Sequence, residues 1–469
     1  MCEEKLTELF ENIAALGGQI GFVLLKQGMP NRLNFLLRTH PPEQTADVAK
    51  WFDDQVLQVL LHLAGTSYSS TFDDIRKLPT RFGGLGLTSS SDTRRPAYEA
   101  SKERSLALPL TLARPEYRIQ KQALKLQSQG QRMEAGYKAV MERLKNSPLL
   151  ARLLQDTSSN GAAACLNSVP RWTSPIQAQG FGAVLRLKTA TNHRDLQMSD
   201  GCRGCKAKVA PEAQSHHLSG CPKIHGLNSA SAHSSAKEML KHLFRYCHVQ
   251  YEEAEPTNYE IRHCPQCRES FPVAKPGCLE KHVSECAAGV SLDTLKTASH
   301  QRPDIRFKYF DPKTYASRTA VLDISMTSSL LSDANSVETR VDMKKKLYAK
   351  LAHDNGEEFY AIIITATGKV SLDCAALAEI IAGHRSTMPA RNVLSAIATI
   401  GCAVRGLSLV NAETKHGVQH IAQKGHYVVN PADLERLIAP RAAAQVHASS
   451  TSAPTAAQDA TTITTIADP

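Results

Sequence analysis

A chain of 469 residues, 42% hydrophobic and 21% charged, is long enough and apolar enough to bury several cores. No uninterrupted run of 18 apolar residues occurs, so no membrane partner is expected, and the acidic, amphipathic start MCEEKLTELFEN is unlike a secretory leader. The formal charge of +10 biases the choice of partner toward polyanions such as nucleic acid.

Helical periodicity runs through residues 4–26 and 42–64, with Phe52, Val56, Val59, Leu60 and Leu63 on one face of the second stretch. Pro41 and Pro42 mark the loop between them. Leu78 to Leu87 is glycine-rich but is not followed by GK[ST], so it is read as a packed turn and not as a phosphate loop. Residues 95–155 are charged and helical, 156–164 read as a linker, and the tail at 440–469 has too few large apolar or charged residues to fold.

Seven of the 12 cysteines gather with histidines in two clusters, 202–221 and 264–286. In a chain without an export signal this favours metal over disulfides. The first cluster is Cys202-Arg-Gly-Cys205 with His216, His217 and Cys221; either histidine can complete a tetrahedral Zn²⁺ site. The second is Cys264-Pro-Gln-Cys267 with His282 and Cys286, and Phe271 and Leu279 are placed as the small core of a finger. Such units fold only when metal ligation supplements their burial. The competing reading, reduced thiols packed as small hydrophobes, does not account for two CxxC pairs each followed by a histidine and a cysteine.

Downstream, Arg302-Pro303-Asp304 opens a strand with alternating Ile305, Phe307 and Tyr309, and Asp311-Pro312 makes a turn. A second strand, 319–327, carries Asp323, and a third, 359–366, is apolar enough to be covered on both faces. The helix between them, 337–352, sets Lys344 and Tyr348 four residues apart on one face. Two carboxylates on adjacent strands can hold Mg²⁺ or Mn²⁺, and a lysine beside them can stabilise charge on a phosphate under attack. Read from spacing alone, the same residues are equally a turn aspartate, a strand-end acid and a solvated lysine face.

Taken in order, these features resemble the C-terminal half of the protein of site-specific non-LTR retrotransposons that carry a restriction-like endonuclease. The resemblance rests on LLRTHPPEQ (36–44) with LPTRFGGLGLTS (78–89), similar to a reverse transcriptase thumb. It rests further on GCRGC and SHHLSGCPKIHGL (201–227), similar to a zinc knuckle, and on RPD (302–304), LDIS (322–325) and KKKLY (344–348), similar to a PD-(D/E)XK nuclease whose lysine has moved to the following helix. It implies His216 as the knuckle ligand, since that leaves a four-residue gap before Cys221. It implies Asp304, Asp323, Lys344 and Tyr348 as the catalytic set, with Asp304 and Asp323 on the metal. Residues 232–256 resemble the helix and strand that begin the nuclease, with Glu255 as a further acid.

The expected fold is therefore a multidomain α+β chain. It comprises a helical thumb-like region (1–90), a helical linker region (91–195), the knuckle (196–228), and a restriction-endonuclease-like α/β domain (229–410) with an inserted finger (262–288). The expected activity is metal-dependent nicking of target DNA for target-primed reverse transcription, in the nucleus, with two Zn²⁺ and a catalytic Mg²⁺ or Mn²⁺. Element RNA and a polymerase acting in trans are further expected partners, because no Tyr-x-Asp-Asp motif occurs in the sequence. Two features depart from the family plan: the long gap between Asp304 and Asp323, and the finger inside the nuclease. The rival readings are a catalytically inactive or domesticated zinc-dependent nucleic-acid-binding protein, and a decayed element fragment.

Overall fold

The computed structural model describes residues 2–420 apart from 114–128, 160, 168–175, 177, 222, 225–227, 257–258, 260, 265, 268–269, 273–277, 287–295, 300–301, 312–313, 328–335 and 384–387. The 440–469 tail lies outside the described residues, as do the side chains of Phe271, Cys278 and Leu279. The architecture is mixed α/β, mostly helical, with one four-stranded and one three-stranded sheet among the described residues.

The helical stretch expected over 4–26 is two helices, α1 (Cys2–Leu16) and α2 (Gly18–Gln27). Gly17 and Gly18 both have positive φ, and a Cβ at Gly21 would lie 2.7 Å from the Ile13 carbonyl, so the chain turns back on itself there. Helix α3 (Pro30–Thr39) begins on its proline, and α4 (Ala46–Ala64) buries Phe52, Val56, Val59, Leu60 and Leu63 against Phe10, Ile13, Phe22 and Leu25. Asp53, buried on the same helix, accepts hydrogen bonds from Ser90 N and Ser91 N and so caps α6 (Ser90–Ala113) from across the core. Between them α5 (Ser70–Lys77) leads into the glycine-rich turn, where Leu78, Leu85 and Leu87 are buried and a Cβ at Gly84 would strike the Leu78 carbonyl.

Helices α7 (Gln129–Lys145) and α8 (Pro148–Thr157) follow. The segment at 156–164 is not a linker. Asp156, Thr157 and Ala162 are buried, and the Ala162 carbonyl accepts from the buried Lys188 ammonium at 2.6 Å. Small residues that read as flexible are what permit this close approach: a Cβ at Gly161 would lie 3.3 Å from Ala398.

Helices α9 (Ala164–Asn167), α10 (Ala178–Thr189), α11 (Gln214–Gly220) and α12 (Asn228–Tyr246) lead to the four-stranded sheet. Its order is β1 (Gln250–Tyr251), β5 (Ile305–Asp311), β6 (Ala316–Thr327), β7 (Glu358–Thr365), with β6 and β7 parallel and the other pairs antiparallel. The long Asp304–Asp323 gap is an extended hairpin, paired from Ile305↔Leu322 to Asp311↔Ala316. Helix α14 (Val337–Asp354), capped by Ser336, makes the crossover between the parallel strands. It covers one face of the sheet. Helices α12, α15 (Leu372–Gly383) and α16 (Ala390–Lys415) cover the other, which is why β7 is apolar at successive positions from Ala361 to Ile364. Between β1 and β5 the chain makes a small separate sheet, β3 (Ser270–Pro272), β2 (Ile261–His263), β4 (Lys296–Ser299), with helix α13 (Cys278–Glu285).

Helix α16 is long and apolar enough to cross a membrane by length and composition, a property that a search for unbroken apolar runs does not register. Here it is a core helix shared by three clusters. Cys402 packs with the N-terminal helices, Ile397, Ile400 and Val404 with the sheet, and Leu409, Val410 and Ala412 with the first cysteine cluster. Gly406 lets it approach Gly180 of α10, and Glu413 makes a fully buried two-pronged pair with Arg186.

Candidate metal centres and carboxylate site

Asp304 stands one residue before β5, whose ladder begins at Ile305↔Leu322, so it lies at the end of the hairpin beside the Leu322–Ile324 stretch of β6. Two hydrogen bonds hold it there: Asp304 N donates to Leu322 O at 2.8 Å, and Ile324 N donates to the carboxylate Oδ2 of Asp304 at 2.6 Å. Both aspartates are buried, 5% and 4% exposed. Asp323 Oδ2 lies 2.6 Å from Lys344 Nζ. Burial foremost, then the Asp304 carboxylate, push Asp323 up to about 6 against the pull of Lys344.

Lys344 reaches the acids over the ring of Tyr348, with Nζ 5.8 Å from its centroid. Tyr348 is fully buried between Tyr259, Val321 and Phe359, and burial, then the two aspartates, raise its pKa so that the phenol stays protonated. Lys345 turns instead to Asp373 at 2.9 Å, and Lys346 is exposed. The structure thus brings together Asp304, Asp323, Lys344 and Tyr348. Glu255 is partly exposed and held by Lys237 at 2.6 Å.

Two neighbours escaped the sequence reading. His233, near the start of α12, brings Nε2 to 3.1 Å from Asp304 Oδ2; this hydrogen bond raises its pKa, while burial opposes. Lys237 follows one turn later. The signal was available as His and Lys spaced four apart on a helix, but nothing in the sequence says which face meets the acids.

A carboxyl whose pKa is raised by folding costs stability when charged; the cost is complete above the folded value and disappears as pH falls toward the unfolded one. Asp323→Asn is therefore expected to stabilise the zinc-replete, Mg²⁺-free protein at pH 8, with the gain vanishing as pH falls from about 6 toward the ordinary carboxylate range. Urea unfolding of both proteins across that window checks it. A variant less stable than wild type at pH 8 would mean that the Lys344 pair outweighs desolvation.

In the first cysteine cluster, Cys202, Cys205, His217 and Cys221 converge with their ligand atoms within 4.8 Å of one another. The Cys202–Cys221 sulfur separation is 3.8 Å and Cys205 Sγ lies 3.3 Å from His217 Nε2. Bonds of the usual Zn–S length set tetrahedral ligands about 3.8 Å apart, so the group has the size to hold zinc. The histidine is His217, not the expected His216. Successive helix residues point about 100° apart, and α11 uses its inward face for Ser215, His216, Leu218 and Ser219. His216 is wholly buried, which pushes its pKa down to about 4 and keeps it neutral. The knuckle also docks on α16: Arg203 N donates to His416 Nε2 and Lys415 Nζ to Ile224 O.

The second group is Cys264, Cys267, His282 and Cys286, again within 4.8 Å, with Cys267 Sγ 3.6 Å from His282 Nε2. Backbone N–H groups, that of Cys267 foremost, draw the Cys264 thiol down to about 6, the thiolate form a metal needs. Elemental analysis is expected to find two zinc ions per chain, one of them lost in His217→Ala and retained in His216→Ala. The reverse pattern would restore His216 as ligand.

No family model matches the chain. Over 84 residues, 18% of this chain, it is 33% identical to the Retrotransposable element SLACS 132 kDa protein of Trypanosoma brucei gambiense, and the matched stretch spans 7% of that protein. This supports a retrotransposon origin. The Cys/His groups and the likeness together accord with a retrotransposon-associated role.

Proposed function

We propose that the chain is a divalent-metal-dependent endonuclease of a non-LTR retrotransposon, which nicks target DNA so that the broken strand can prime reverse transcription. The observation that carries this reading is the convergence of Asp304, Asp323 and Lys344 at one buried point. Burial and the neighbouring Asp304 carboxylate raise the pKa of Asp323, and a buried carboxylate set beside another is where a cation belongs. The donor set fits Mg²⁺ or Mn²⁺, which take carboxylate oxygen plus water and phosphate oxygen.

On this reading Asp304 and Asp323 hold the ion, which supplies positive charge to the scissile phosphate and lowers the pKa of water. Asp304 is held by the Ile324 N–H, which fixes its carboxylate in place. Lys344 offers its ammonium to the non-bridging phosphate oxygens as charge develops there, and the buried Tyr348 ring positions it. The two Cys/His modules position nucleic acid, and the surplus of Lys and Arg makes that binding salt-sensitive. DNA in the nucleus is the proposed target, with element RNA and a polymerase acting in trans as partners.

The test is relaxation of supercoiled plasmid by zinc-loaded protein with Mg²⁺ or Mn²⁺, beside Asp323→Ala. Nicked circles from wild type alone support the proposal. Salt-sensitive DNA binding with no nicking in either metal would replace it with the binding-protein reading.

A further inference from the structure

We propose that His233 is a third protein ligand of the cation held by Asp304 and Asp323, and that its imidazole tilts the site toward Mn²⁺ over Mg²⁺. The inference rests on the nuclease reading and extends it to metal choice. Its basis is the 3.1 Å separation of His233 Nε2 from Asp304 Oδ2. Cis ligands in an octahedral shell with bonds of about 2.1 Å lie about 3.0 Å apart, so the two atoms already stand at the spacing of neighbouring ligands. Asp304 Oδ2 also accepts from Ile324 N, which fixes the carboxylate that the imidazole meets.

The surroundings fit a ligand. Helix α12 is anchored through Ala232, Ala236 and Leu240 in the core beneath the sheet, which fixes the ring from behind. The ring is 38% exposed, which leaves room for the waters that a hard cation keeps. Lys237, one turn on, is committed to Glu255. An imidazolium–carboxylate pair accounts for the same distance without a metal, and Mn²⁺ binding that lacks imidazole modulation is the result that favours it.

Imidazole nitrogen suits first-row transition ions, whereas Mg²⁺ prefers an all-oxygen shell. The experiment titrates Mn²⁺ into full-length, zinc-replete protein and reads bound ion by electron paramagnetic resonance, with Mg²⁺ as competitor. Wild type is expected to bind Mn²⁺ in preference to Mg²⁺ and to show echo modulation from a coordinated imidazole nitrogen. His233→Ala should lose that modulation and weaken Mn²⁺ binding by about 10-fold or more, the range lost even when a group behind a ligand is removed. Its effect on Mg²⁺ should be much smaller. His233→Gln, which keeps the length but not the imidazole, should behave alike, and circular dichroism checks that both fold.

Asp323→Ala separates the two claims. If Mn²⁺ binding depends on Asp323 but shows no imidazole modulation, the His233 proposal is overturned and the nuclease reading stands. If wild type binds no Mn²⁺ outside its zinc sites, both fall.

Discussion

Lys344→Ala is expected to slow single-turnover cleavage by about 10²-fold or more, the range seen when a group stabilising transition-state charge is removed, while Lys346→Ala leaves the rate unchanged. The two lysines share a helix and a charge, so a general loss of DNA attraction would affect both. What separates them is geometry: Lys344 lies 2.6 Å from Asp323, whereas Lys346 is exposed. Asp304→Ala and Asp323→Ala should each abolish metal-dependent nicking without unfolding the protein, since either change relieves repulsion in the buried pair. Tyr348 divides differently. Tyr348→Phe keeps the ring beneath Lys344 and should retain most activity, but Tyr348→Ala empties a packed site among Tyr259, Val321 and Phe359 and should cost about 3–5 kcal/mol of stability. Rates at saturating DNA and Mg²⁺ settle the matter. Equal rates for wild type and Asp323→Ala would make the nuclease assignment wrong.

The elements that frame this site were legible because their patterns are local. Ile305, Phe307 and Tyr309 are buried while Lys308 and Phe310 are exposed, which is the alternation the sequence shows. The apolar run in β7 reflects cover on both faces, and the 3.6-residue period of α14 puts Lys344 and Tyr348 together. What stayed illegible was set by packing between distant segments. His216 and His217 have the same chemistry and adjacent positions; only the inward face of α11 decides between them. Residues 156–164 have linker composition, yet Asp156, Thr157 and Ala162 are buried and Gly161 lies close against Ala398 of α16. His233 joins Asp304 across 71 residues of chain, and no spacing rule reaches that far. Retrotransposon origin was legible through motifs, and the SLACS likeness agrees with it.

Removal of one zinc ligand should have different consequences at the two clusters, because one cluster stands apart and the other is built into the core. Structural zinc contributes on the order of 10 kcal/mol to a unit of this kind. In the finger, strands of three or four residues and one eight-residue helix cannot replace that by burial. Cys264→Ser should therefore release one zinc and make residues 261–286 protease-sensitive, while the β1–β5–β6–β7 sheet persists, since the finger is an excursion between β1 and β5. Cys221→Ser should be worse. Cys202, Leu218, Cys221 and Ile224 share a buried cluster with Leu187, Leu409 and Val410, so the knuckle supports the same end of α16 that carries the Arg186–Glu413 pair. Loss of that zinc should loosen the helix and lower the main unfolding transition, not only a local one. Zinc content, limited proteolysis and thermal unfolding of the two variants distinguish these outcomes. A Cys221→Ser protein that loses zinc but melts like wild type would show that the knuckle is an appendage, and that α16 is held by its apolar contacts and buried ion pair alone.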